Sequence, residues 1–138
     1  MGVKATVEYQ GDLICKSTHG PSGQSIITEA PVDNGGQGRY FSPTDLVGVS
    51  AATCAMTIIG IAAKNNGLDV AGMTAEVEKE MVADPVRRIA KLIMTINLPA
   101  HLSEADRQKL EAAGNGCPVK KSLHPDCEFI VEYRYKNL

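Results

Sequence analysis

Four cysteines, Cys15, Cys54, Cys117 and Cys127, supply the nucleophiles of this chain. A thiol reacts as its thiolate, so its surroundings decide what it can do. Cys54 lies within Leu46–Ala63, a stretch without a single charged residue. Burial there alone raises the thiol pKa and leaves a small core residue; a cation held in the same dry site reverses that. In Gly116-Cys117-Pro118-Val119 the thiol stands at the start of a short helix. Unpaired backbone N–H groups, the helix dipole and the nearby Lys120 and Lys121 lower a pKa at such a place. The alternative for Cys117 is a half-buried cap. Taken together, the two thiols suit a peroxidatic cysteine and its resolving partner. A peroxide oxidises the first to a sulfenic acid, and the second condenses with it to a disulfide.

The remaining candidates point elsewhere. Cys15 reads as structural, in a hairpin. Cys117, His124 and Cys127 with a fourth ligand could be read as a zinc site, but their spacing is not one that zinc sites use. His124 beside Pro125 reads as a turn residue more than as a base for a thiol. Gly35-Gly36-Gln37-Gly38 lacks the Gly-Lys-Ser/Thr ending of a phosphate loop and reads as a flexible connection.

These thiols need elements to hold them. Ser42-Pro43-Thr44-Asp45 is a helix start, with Ser42 as N-cap, Pro43 at the first helical position and Asp45 in the first turn. The uncharged helix runs to Lys64-Asn65-Asn66-Gly67, where an αL cap ends it. It is long enough to touch the threshold for a membrane span, but its Gly, Ser, Thr and Ala content, without an aromatic belt or basic flank, predicts a buried helix. A helix apolar on every side must be covered on every side, so a homodimer interface that includes it is expected. Residues 3–9 and 13–18 read as a hairpin turning at Gln10-Gly11-Asp12, with a further strand near 25–29. Met73–Val82 alternates with Glu76, Glu78 and Glu80 outward. Asp84-Pro85 breaks the chain, and Val86–Leu98 carries an apolar face on its even positions, giving a long antiparallel hairpin. Ser103 caps a helix that stops at Gly114, a short helix runs from Cys117 to Leu123, and the last strand is Glu128–Tyr135. Strands and helices segregate, which predicts an α+β fold in one domain, residues 1–138.

Composition narrows the function. Hydrophobic residues at 43% and charged residues at 22% fit an ordinary globular chain. Fourteen basic against sixteen acidic residues give a net charge of −2, no footprint for nucleic acid or an anionic membrane. The amino terminus has no basic-then-apolar leader, and four scattered cysteines make no disulfide framework, so a cytoplasmic protein with reduced thiols is expected. No motif calls for a metal or an organic cofactor.

Ser42-Pro43-Thr44-Asp45-Leu46 through Ala51-Ala52-Thr53-Cys54, followed by Cys117-Pro118-Val119-Lys120-Lys121-Ser122-Leu123, resembles the osmotically inducible protein C and organic hydroperoxide resistance family (OsmC/Ohr). The resemblance spans nearly the whole chain. It implies antiparallel sheets around a long buried central helix, in an intertwined homodimer with sites at the subunit interface. It further implies a thiol-dependent peroxidase that reduces organic, often lipid-derived, hydroperoxides in the response to oxidative stress. A dithiol such as protein-bound lipoamide would recycle it, with Cys54 peroxidatic and Cys117 resolving. The most active subgroup commonly has Glu after the motif's Pro, paired with an Arg. Here Thr44 takes that position, Asp45 follows, and Arg39 is the first arginine of the chain. Arg39 could form a charge-assisted pair with Asp45 beside the thiolate, or stand solvated in its loop. A guanidinium beside Cys54 would lower the thiol pKa by ~1–3 units. The competing reading is a non-catalytic dimer of the same fold that binds small apolar ligands at the interface.

Overall fold

Gly11, Asp12 and Leu13 all take positive φ (88°, 53° and 64°), and there the chain reverses on itself. The turn falls one residue later than the sequence suggests, and it joins β1 (Ala5–Gly11) to β2 (Ile14–His19). β3 (Ser25–Glu29) pairs with the other side of β2, so β2 is the middle of an antiparallel three-stranded sheet. The computed structural model describes all residues, Met1–Leu138, and they fall into two compact units, Met1–Leu46 and Val47–Leu138. In the first unit the register aligns Val7 with Ser17 and Ile26, and Tyr9 with Cys15 and Thr28. Val7, Tyr9 and Ile26 therefore share one face, and each is more than half exposed.

α1 (Pro43–Asn65) begins at the end of the first unit and runs into the second. Its buried residues, Gly48, Ala51, Ala52, Ala55, Ile59 and Ala63, fall at helical spacing on one stripe. The helix is long and apolar enough to cross a membrane, yet that stripe packs into the core. Gly48 leaves room for Leu92 and Val77, so α1 lies close on the second sheet. The opposite face is not covered within the chain: Ser50, Thr53, Thr57 and Ile61 are exposed. The Thr53 and Thr57 hydroxyls donate back to the carbonyls of Ser50 (3.2 Å) and Thr53 (2.7 Å), so that face makes little demand on water. Gly67 at φ 66° ends the helix, as expected.

The second unit contains β4 (Thr74–Val82), β5 (Arg88–Pro99), α2 (Glu104–Asn115), α3 (Pro118–Ser122) and β6 (Glu128–Lys136). β5 is the central strand, antiparallel to β4 and parallel to β6. The sheet is thus mixed, where antiparallel pairing is expected, because α2 and α3 carry the chain across to a parallel neighbour. Leu92, Met94, Ile96 and Leu98 are buried on one side of β5, each worth ~1.5–3 kcal/mol of apolar burial. Val86, expected to extend this face, is 61% exposed in the turn before the strand. Ser103 caps α2 and accepts the Asp106 N–H, as its type predicts. Gly114, expected to stop α2, lies inside it, and Gly116 takes the C-cap. Gly114 serves packing instead: a Cβ there would meet Ile59 and Tyr133 at 2.9 Å.

Candidate functional site

A proline at position 118 has no N–H to lose and its φ suits a first helical residue, so the preceding residue becomes the cap of α3. That residue is Cys117, and its Sγ accepts the Lys120 backbone N–H at 3.3 Å. Cys117 is 2% exposed, in the cluster that holds Leu92, Leu110 and Ile59. Cys54, half-buried on α1, packs against the same cluster, near enough that its sulfur acts on the Cys117 thiol. The structure therefore brings together the two sulfurs singled out from sequence.

The electrostatics of Cys117 differ from expectation. Burial pushes its thiol above the ordinary value, outweighing the Lys120 N–H that favours the thiolate. The neighbouring Cys54 pushes the same way, since two anionic sulfurs in contact repel. Nor do the Lys120 and Lys121 ammonium groups lower it: Lys120 Nζ stands 5.6 Å from the centre of the Phe129 ring, and Lys121 is exposed. Cys117 is thus held as a neutral thiol that meets its partner sulfur in an apolar setting.

Arg39 and Asp45 lie in the first unit. The carboxylate that holds Arg39 is Glu29, at the end of β3, not Asp45. Arg39 Nη2 donates to Glu29 Oε1 at 2.8 Å, and its backbone N–H donates to Oε2 at 2.9 Å. Glu29 is 1% exposed, and the guanidinium holds its carboxyl below the usual carboxylate range. Asp45 Oδ2 accepts the Ser42 N–H at 2.9 Å while Ser42 Oγ accepts the Asp45 N–H at 3.1 Å, a reciprocal cap on α1. Thr44, where the resemblance puts Glu, lies with its hydroxyl 3.2 Å from Ser42 Oγ and joins that cap. Arg39 and Asp45 both line an open cleft of about 370 Å³ with Ile27, Tyr40 and Phe41. Sequence reasoning missed Glu29. Its one signal was an acid closing the β-branched run Ile26-Ile27-Thr28, ten residues before the first arginine.

Comparison with known proteins agrees with this architecture. A model of the OsmC-like protein family matches residues 36–132. No curated protein matches the chain. Among solved structures, one similar to it is a Psychrobacter arcticus protein provisionally described as an osmotic stress induced and detoxification response protein. The identity is 44% over 96% of this chain and 97% of that one, with a TM-score of 0.90. An organic hydroperoxide resistance protein from Elizabethkingia anophelis shares the fold at 15% identity, covering 99% and 97% of the two chains, with a TM-score of 0.75. OhrB, the organic hydroperoxide resistance protein of Bacillus subtilis, shares it at 16% identity over 97% and 98%, with a TM-score of 0.69.

Proposed function

The chain belongs to the OsmC-like family, and from that premise we propose that it is a thiol-dependent peroxidase that reduces organic hydroperoxides. The observation that carries this reading is the proximity of Cys54 and Cys117, two thiols far apart in sequence that share one apolar cluster and act on each other there. In the proposed cycle the Cys54 thiolate attacks the distal peroxide oxygen; the O–O bond breaks and the alcohol leaves with the proton that Cys54 gave up. Cys54 is then a sulfenic acid. Cys117 attacks its sulfur, the S–O bond breaks, and the Cys117 proton leaves with the hydroxide as water. An external dithiol, such as a lipoyl protein, reduces the resulting disulfide by thiol–disulfide exchange. Cys54, the half-exposed member, faces the substrate, while Cys117, buried and neutral, resolves. Arg39 and Asp45 are assigned to the substrate side of the reaction.

The same reading includes a homodimer. The uncovered face of α1, with its internally bonded threonines, and the open Val7, Tyr9 and Ile26 face of the first sheet are both surfaces that a second copy would cover. The test is stoichiometric. Addition of cumene hydroperoxide to the reduced chain should consume the Cys54 thiol and yield a Cys54–Cys117 disulfide, mapped by peptide mass spectrometry and reversed by dihydrolipoamide. An unreactive Cys54 overturns the proposal and leaves the non-catalytic reading.

A further inference from the structure

Three elements converge just ahead of Cys117. At Gly114, near the end of α2, a Cβ would lie 2.9 Å from Ile59 Cδ1 on α1 and 2.9 Å from the Tyr133 hydroxyl on β6. Glycine alone lets the three come this close. The Tyr133 hydroxyl then reaches the residues that lead into the cap of α3. It donates to Asn115 Oδ1 at 2.7 Å and lies 3.3 Å from the Glu111 carbonyl oxygen. Asn115 is followed by Gly116, the C-cap of α2, and then by Cys117, the N-cap of α3. Tyr133 is half-buried, and burial pushes its phenol up to about 12, so the hydroxyl remains a donor at neutral pH. Cys117 is near enough that its charge opposes ionisation of this phenol.

We propose that Tyr133 is a positioning residue for sulfur exchange: its hydroxyl fixes the Asn115-Gly116 turn, and with it the Cys117 sulfur, against Cys54. This rests on the reading of Cys54 and Cys117 as a redox pair. Tyr135 supplies the internal contrast. Its hydroxyl lies 2.6 Å from Glu111 Oε2, and the Arg107 guanidinium stands 4.1 Å over its ring. Tyr135 therefore grips the same helix from the same strand without touching the turn that carries Cys117.

The experiment removes peroxide chemistry from the readout. One equivalent of dithiobis(nitrobenzoate) is added to the reduced full-length chain. The Cys54 thiolate attacks its S–S bond, a first thionitrobenzoate leaves, and the mixed disulfide on Cys54 remains. Peptide mapping of the acid-quenched sample confirms the site, and the release then followed is the second. Cys117, losing its proton to solvent, then attacks the Cys54 sulfur. A Cys54–Cys117 bond forms, the bond to the aromatic sulfur breaks, and coloured thionitrobenzoate leaves with the electron pair. Tyr133→Phe and Asn115→Ala should each slow this release about ten- to a hundredfold, and Tyr135→Phe by less than about twofold. Asn115→Ala decides the matter if Tyr133→Phe does not fold. Equal slowing by Tyr135→Phe, or release at the native rate from both turn variants, overturns the inference while the redox pair stands. A native chain that releases no second thionitrobenzoate overturns the redox pair itself, and the inference with it.

Discussion

Cys54 on α1 and Cys117 at the cap of α3 pack in one apolar cluster, near enough that one sulfur acts on the other, with Cys117 buried and Cys54 half-buried. Burial raises the Cys117 pKa and Cys54 is the more exposed of the two, which suits the roles proposed for them, Cys54 meeting substrate and Cys117 resolving.

Two single substitutions separate those roles. Cys54→Ser should lower hydroperoxide consumption by about a thousandfold or more, because the attacking sulfur is gone. Cys117→Ser should leave the first oxidation intact, so one equivalent of peroxide is consumed and a sulfenic acid accumulates. Mass spectrometry after dimedone labelling reads both outcomes. Dimedone adduct at Cys54 in the second variant and none in the first is the expected pattern.

The Glu29–Arg39 pair makes stability depend on acid. The folded pKa of Glu29 lies below its ordinary value of 4.5. The folded chain thus binds this proton less readily than the unfolded chain does. The contribution is fully present above pH 4.5 and is lost as the pH falls through the lowered folded value. Urea titrations between pH 7 and pH 3 should show Glu29→Gln destabilised at the upper end. The difference from the native chain should shrink toward the lower end, and a gap that widened on acidification would contradict the assignment.

Base acts on the opposite side. Tyr133 is pushed up to about 12 and Tyr135 higher still, first by burial and then by the charge or hydrogen bond of Glu111. A raised folded pKa in a phenol favours the neutral form on folding. This stabilisation is complete below about pH 10, the ordinary tyrosine value, and fades as the pH climbs toward the folded value. Thermal melts should fall above pH 10, and Tyr133→Phe should flatten part of that slope. Tyrosinate absorbance followed alongside should show these two phenols ionising late.

Gly114→Ala tests the convergence of α1, α2 and β6. The added methyl meets Ile59 and Tyr133 at 2.9 Å and must displace both. Overpacking of this kind costs about 1–3 kcal/mol, read as a lower urea midpoint at unchanged slope. An unchanged midpoint would mean that the helix end gives way freely.

Much of this was legible in the residues. The Ser42-Pro43 start and Gly67 stop of α1, the Ser103 cap of α2 and the alternation of β4 are local signals, each carried by one or two side chains with a defined backbone preference. Cys117-Pro118 is equally local. What sequence could not supply was distance between remote residues. Locally Glu29 is one residue of a short strand, and only the fold brings Arg39 onto it. Gly114 looked like a stop because glycine ends helices more often than it lets other elements approach one. The sign of the Cys117 shift is not legible locally because burial is a tertiary property, and here it outweighs the backbone N–H.

The parallel pairing of β5 with β6 has a consequence for how the sulfurs come together. A parallel neighbour cannot be reached by a tight turn, so residues 100–127 must fold back before the last strand can zip in, and Cys117 lies within that return path. The second sulfur is thereby carried on the crossover that the parallel pairing requires.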